Sequence, residues 1–408
     1  MKLMLYKWGG FNEDLLKDKL IEAGYEVCIC EKECKDHTRD MNLAFELMQA
    51  VYREKVDAII SFDYFPVISL ACDTCKILYY SWIYDSPMTT VYAKAAKLSC
   101  NRIGVFDRDL ANRFNERGIS TVFYTPLATD TEELEKRMRS TQKGFGNLKN
   151  GGACDVSFVG SLYTDHNNYY DIFKDEDISV KNHNNSVVYD NLWSRLDEII
   201  SRQKFCYDKD YLSECDFSLD YLNEKMIDHG LCLDEDFDAP FEEIIVADVL
   251  EKKVTVEERQ SLMSAVAAKC DGKYLFNLYT TSDTGYDSLV NKCNRGKIDY
   301  QSEMPKVFKN SKINLHISLR SIHSGIPQRA LDIPSCGGFL LANDCEELRE
   351  YFKVGEEVET YSSLEECMDK IEYYLMNDEI RCKVAERGYE KAGRDFSYGK
   401  GLKCLLRK

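Results

Sequence analysis

Over the first ~130 residues, short and nearly continuous apolar runs alternate with longer stretches whose apolar positions recur at helical spacing. Runs bounded by turn residues and separated by amphipathic segments predict a parallel sheet covered by helices. Strands are expected at 3–6, 25–30, 56–62, 77–84, 102–106 and 121–124, with helices such as 13–23 and 42–54 between them. Alternation restarts at DVSFVGSLY (155–163) and resumes at KYLFNLYT (273–280), INLHISL (313–319) and GFLLAND (338–344). Between about 181 and 272 the pattern is helical with no clear strand. The tail reads as helix: Ser363 and Glu366 form a capping-box signature, and Leu364, Cys367, Met368, Ile371 and Leu375 lie along one face.

The pattern gives an α/β protein of two Rossmann-like halves, and 408 residues exceed what one core usually holds. Residues 138–153 are rich in Gly, Lys and Asn without apolar period and read as a linker. The expected domains are 1–150, then 151–393 with a helical acidic insertion at about 181–272, and a C-terminal helix in 394–408 returning to the first domain.

Charge narrows the partners. Seventy acidic against 53 basic residues give a formal net charge of −17, which argues against nucleic acid and anionic membranes, since both require a basic face. No apolar run approaches the ~20 residues of a membrane span, and MKLMLYKWGG lacks the apolar core of a signal peptide. The 17 cysteines then read as reduced thiols of a cytoplasmic protein. Cys28-x-Cys30 with Cys34, and Cys72-x-x-Cys75, lack the second well-spaced pair of a structural zinc site. Residues 231–260 carry ten acidic and three basic side chains and read as a solvated helical face. Asp208-Lys209-Asp210 and Asp234-Glu235-Asp236 within this middle region echo metal-binding D-x-D words, but they lie away from strand ends, and no metal is expected.

Candidate chemistry gathers after the strands. Lys7-Trp8-Gly9-Gly10 follows the first strand of one half and Val159-Gly160-Ser161 the first strand of the other, where doubly wound sheets bind ligands. In GIPQRALDIPSCGGFLLAND (325–344), Arg329 and Asp332 are i and i+3 on a helix. Arginine forks onto phosphate oxygens, and a carboxylate accepts ribose hydroxyls, so the pair suits a nucleoside diphosphate; a surface ion pair is the plainer alternative. Asp85, in YDSP after a strand, is a candidate general base or, alternatively, a helix N-cap. His323 reads as facing a ligand or as packing, His166 as a phosphate contact or bland, and Trp8 and Trp82 as stacking platforms or core.

The words INLHISLRSIHSGIPQRALDIPSCGGFLLAND, EELREYFKVGEEVETYSSLEECMDKIEYYL, SWIYDSP, GVFDRDLANRFNERG, YTPLATD and DVSFVGSLY together resemble the CgeB-like, spore-maturation-type bacterial glycosyltransferases. The resemblance covers about 1–175 and 270–400. It implies a GT-B fold, two Rossmann-like domains facing across a cleft, with the acceptor on the first and a nucleotide-diphosphate sugar on the second. Many GT-B transferases carry two glutamates eight positions apart; here the second position falls on Asp332 and the first on Ser324. The implied donor residues are Gly160, Ser161, Arg320, Ser324, Gly325, Arg329 and Asp332, with Gly9, Gly10 and Trp82 on the N-domain side of the cleft.

The expected activity is metal-independent transfer of a sugar, with UDP the commoner nucleotide on such folds, to an unidentified acceptor hydroxyl of a polysaccharide or protein. No cofactor is expected beyond the nucleotide sugar as co-substrate. A non-catalytic nucleotide-sugar-binding scaffold, for which Ser324 is the argument, and a nucleotide-sugar isomerase remain as alternatives.

Overall fold

The computed structural model describes residues 1–139, 153–165, 168–184, 188–230, 236–238, 240–285 and 287–406, with only the backbone described within 180–190. The first sheet contains β1 (Lys2–Tyr6), β2 (Glu26–Cys30), β3 (Ala58–Phe62), β4 (Leu78–Trp82), β5 (Asn101–Val105) and β6 (Val122–Tyr124). They are all parallel, in the order β2-β1-β3-β4-β5-β6. Every residue of β3 is buried, as a central strand covered on both faces must be. The second sheet contains β7 (Cys154–Val159), β8 (Phe276–Tyr279), β9 (Ser311–His316), β10 (Leu340–Asn343) and β11 (Glu359–Tyr361), in the order β11-β10-β9-β7-β8.

The chain reverses direction across the first sheet between β1 and β3, and across the second between β7 and β9. Such switch points leave a crevice beyond the carboxyl ends of the strands. The loops after β1, β3, β7 and β8 line one cavity between the sheets.

Ten of the eleven strands among the described residues overlap a sequence expectation; β11 has no counterpart. Its first residue is Glu359, a buried carboxylate that accepts from Lys370 Nζ at 3.0 Å and from the Tyr374 hydroxyl. The expected capping box forms around Ser363. Its side chain accepts the Glu366 N–H at 3.1 Å, while Glu366 takes the Ser362 N–H at 2.7 Å.

The helical insertion starts earlier than expected, at Tyr169, with helices Tyr169–Asn184, Val188–Gln203 and Asp216–Asp228. It ends in a rod formed by Phe241–Ile245, a π-helical turn Val246–Glu251, and Lys252–Cys270. Its own core includes Tyr170, Phe173, Trp193, Leu196, Leu222 and Leu250.

The described part of the acidic stretch does not stand free in solvent but docks on the first domain. Asp236 pairs with Arg39 at 2.6 Å, Asp238 with Lys97, and Glu243 with Arg117, all basic residues of the first domain. Backbone bonds fix this contact: Lys94 N–H to Asp236 O at 2.7 Å and Asp238 N–H to Tyr92 O at 2.9 Å. Asp234 and Glu235, and most of the 138–153 linker, lie outside the described residues.

The last helix, Tyr398–Leu405, lies against the first sheet, burying Tyr398, Leu402 and Leu405 with Leu3, Leu5 and Trp82. Gly401 permits this, because a Cβ there would collide with the Trp82 ring.

Candidate active site

The cavity between the two sheets encloses about 530 Å³. The first domain contributes Trp8, Gly10, Asp63 and Asp85 among others, and the second contributes Gly160, Ser161, Lys297, Tyr300, Arg329 and Asp332.

Arg329 and Asp332 sit in the first turns of the helix Gln328–Ser335 but do not pair directly. Arg329 donates from Nη1 to the Val159 carbonyl at 2.8 Å, at the end of β7. Among the described residues, no carboxylate lies within ion-pair distance of its guanidinium. Asp332 is only 3% exposed, accepting from Gln328 Nε2 at 2.7 Å and from the Tyr300 hydroxyl at 3.0 Å. Burial pushes its carboxyl above the usual range, and Gln328, Arg329 and Tyr300 oppose that shift. Tyr300 also receives Asn12 Nδ2 at 3.4 Å, and its ring packs at a tilt against Phe11 with centroids 4.7 Å apart, so this triad links the two domains. Each Asp332 oxygen keeps acceptor capacity beyond these bonds.

Behind the Gly160-Ser161 turn lies a second arginine that sequence reasoning missed. Arg259, on the long rod, is 6% exposed and donates to the carbonyls of Ser161 and, at 2.5 Å, Ile317. His316, at the end of β9, is buried near both arginines, and burial first and then their charges hold it well below the usual histidine value, hence neutral. Two guanidiniums thus lie around one strand-end turn in a protein of net charge −17.

The opposite wall is acidic. Asp63, directly after β3, is 4% exposed, and its Oδ1 accepts the N–H groups of Tyr84 at 2.9 Å and Asp85 at 3.2 Å. Asp85 is open to the cleft. Asp85 caps no helix: the next helical turn, Thr89–Tyr92, begins after Met88. Burial, then the charge of Asp85, raises Asp63 to about 7, and burial raises Asp85 as well.

Residues 258–407 match a family model described as glycosyl transferase-like. No curated protein matches the sequence. Among solved structures, the chain is similar to HepE of Anabaena in complex with UDP and glucose. The two share 10% identity and a TM-score of 0.52, with 100% of this chain and 98% of that one covered. It is likewise similar to sucrose-phosphate synthase of Thermosynechococcus elongatus, with the same identity, score and coverages. A third is a glycosyltransferase from Rickettsia africae, at 9% identity and TM-score 0.51, covering 100% and 97% of the two chains. The fold is GT-B.

In this GT-B frame, several residues expected at the donor site lie elsewhere. Arg320 is buried against Glu258, donates to the carbonyls of Cys206 at 2.9 Å and Gln203 at 3.2 Å, and sits 3.9 Å from the Tyr207 ring centroid. It lines a separate cavity between the insertion and both domains. His323 lines that cavity too, with Nδ1 3.0 Å from Asp109 and Nε2 2.8 Å from Glu251. Burial lowers its pKa, but the two carboxylates outweigh this and push it up to about 10. The imidazole is therefore a charged tie between the first domain and the π-helical turn, with neither nitrogen left for a substrate.

Ser324 bonds Asp107 at 2.8 Å and Glu347 at 3.0 Å, also away from the cleft. A Cβ on Gly325 would come within 2.7 Å of the Phe106 carbonyl, so glycine here serves domain contact, not phosphate. The Gly160 N–H is taken by the Tyr279 carbonyl at 3.1 Å. Trp82 is fully buried, and Gly9 lines a groove with Glu31 and His37 rather than the cleft. Trp8 does reach the cleft, held by Nε1 to the Phe62 carbonyl at 3.2 Å. His166 lies outside the described residues.

Proposed function

We propose that this protein is a CgeB-like, metal-independent glycosyltransferase of the cytoplasm. It takes a sugar from a nucleotide-diphosphate donor, UDP-linked by preference, and passes it to an acceptor hydroxyl. The observation that carries this reading is Arg329 and Asp332 on one helix of an interdomain cavity, the cation unpaired among the described residues and the carboxylate set on neutral donors.

Arg329 forks onto the diphosphate beside the Gly160-Ser161 turn, and Arg259 behind it raises the local potential. The Tyr300–Asp332–Gln328 group reads the ribose hydroxyls. As the sugar–oxygen bond breaks, the departing diphosphate gains charge, and the fixed guanidinium stabilises it there. Asp85 faces this point from the other domain as the proton acceptor. The UDP and glucose present in the HepE structure support UDP as the first nucleotide to try.

Calorimetric titration with UDP, GDP, ADP and TDP in the absence of metal tests this. Micromolar binding of one nucleotide, followed by sugar release from its conjugate that survives a chelator, is expected. No binding to any of the four would overturn the reading in favour of a scaffold.

A further inference from the structure

Among the described residues, neither Asp63 nor Asp85 has a Lys, Arg or His within ion-pair distance, and Asp63 is nearly inaccessible, held only by backbone N–H groups. Asp63 also has φ +53°, the left-handed region, where a non-glycine residue costs on the order of 1–3 kcal/mol. Three further bonds over-determine it: its N–H to Trp82 O at 2.9 Å, and its carbonyl receiving Ser61 Oγ at 2.8 Å and Ser81 Oγ at 2.9 Å. Strain kept in place by that many partners turns its carboxylate to the cleft wall, where one oxygen carries the backbone of Asp85.

We propose that Asp63 is a positioning residue for Asp85 and that the two carboxylates act as one proton-accepting unit for the acceptor hydroxyl. This rests on the glycosyltransferase reading above. A neutral residue could carry the two N–H groups equally well; the second carboxylate adds like charge beside Asp85 and strengthens it as a base. The other charged groups facing the pair are Glu13 from the first helix and, across the cleft, Lys297, Arg329 and Asp332. Burial and then the charge of Asp85 raise Asp63, and burial raises Asp85, which suits a base working near neutrality.

The step balances. The acceptor oxygen bonds to the anomeric carbon as its proton passes to Asp85. The anomeric carbon–oxygen bond to the diphosphate breaks, and its electron pair leaves with the diphosphate toward Arg329. Attack from the wall opposite the leaving group inverts the configuration.

Asp63→Asn separates charge from geometry, since the amide oxygen still accepts both N–H groups. Carboxyl carbon NMR titration of protein saturated with UDP should show Asp85 titrating at least about one pH unit lower in Asp63→Asn than in the wild type. If Asp63→Asn does not fold, Asp85→Asn gives the reciprocal reading: Asp63 should titrate lower in it. An unshifted neighbour in the folded variant reduces Asp63 to a backbone cap and overturns the proposal. Sugar transferred with retained configuration would also overturn it. A wild type that binds no nucleoside diphosphate fails earlier, and that failure falls on the glycosyltransferase reading instead.

Discussion

Arg320 and Arg329 stand nine positions apart on either side of the Gly325 contact, with the same side chain and opposite uses. Arg320 is enclosed, its side chain 13% exposed against a Glu258 that is 1% exposed, with carbonyls and a tyrosine ring completing its shell. Among the described residues, Arg329 makes one bond to a carbonyl and otherwise faces a cavity. A cation whose donors are spent on protein is structural; one with donors to spare in a concave site is available to an anion. Two arginines in one short segment are therefore told apart by their unsatisfied hydrogen-bonding capacity.

The sharpest way to break this contrast is Glu258→Gln, which leaves Arg320 as a buried cation without its counter-ion. Loss of about 3–5 kcal/mol in urea unfolding is expected, with unchanged UDP affinity in the folded fraction. Arg329→Ala should do the reverse, weakening UDP binding by about 1–3 kcal/mol in calorimetry while unfolding stays near wild type. Asp332→Asn should cost about 0.5–1.5 kcal/mol with UDP and less with its 2′-deoxy analogue; equal losses would remove Asp332 from the ribose.

The smallest effect concerns His323. Its folded pKa of about 10 lies above the ordinary value of about 6.5. The ties to Asp109 and Glu251 therefore contribute fully below about pH 6.5 and fade as pH rises toward 10. Thermal stability should slope downward across that window, and His323→Gln should flatten the slope without touching UDP affinity.

The strand runs were legible because buried parallel strands are nearly pure apolar words. β11 was not, because a strand that opens on a glutamate resembles a loop until Lys370 and Tyr374 are seen beside it. Arg329 and Asp332 were legible from spacing, since both fall on one regular helix. Arg320, His323 and Ser324 precede that helix, which starts only at Gln328, so helical spacing says nothing about where they point. Arg259 was hidden in an acid-rich stretch, its partners Ser161 and Ile317 being 98 and 58 positions away. Asp63 gave no signal beyond ending a strand; a positive φ and a borrowed backbone are properties of three dimensions.

The return of the last helix to the first sheet has a mechanical consequence. The chain passes between the domains near Thr129 and again near Ser397, and there the two passages pair side by side, with the Thr129 N–H on the Phe396 carbonyl at 2.7 Å. Two tethers joined at one place behave as a door hinge rather than a leash. Together with the ties from the insertion to the first domain, that line resists sliding and twisting of one domain on the other, which holds Asp85 opposite Arg329.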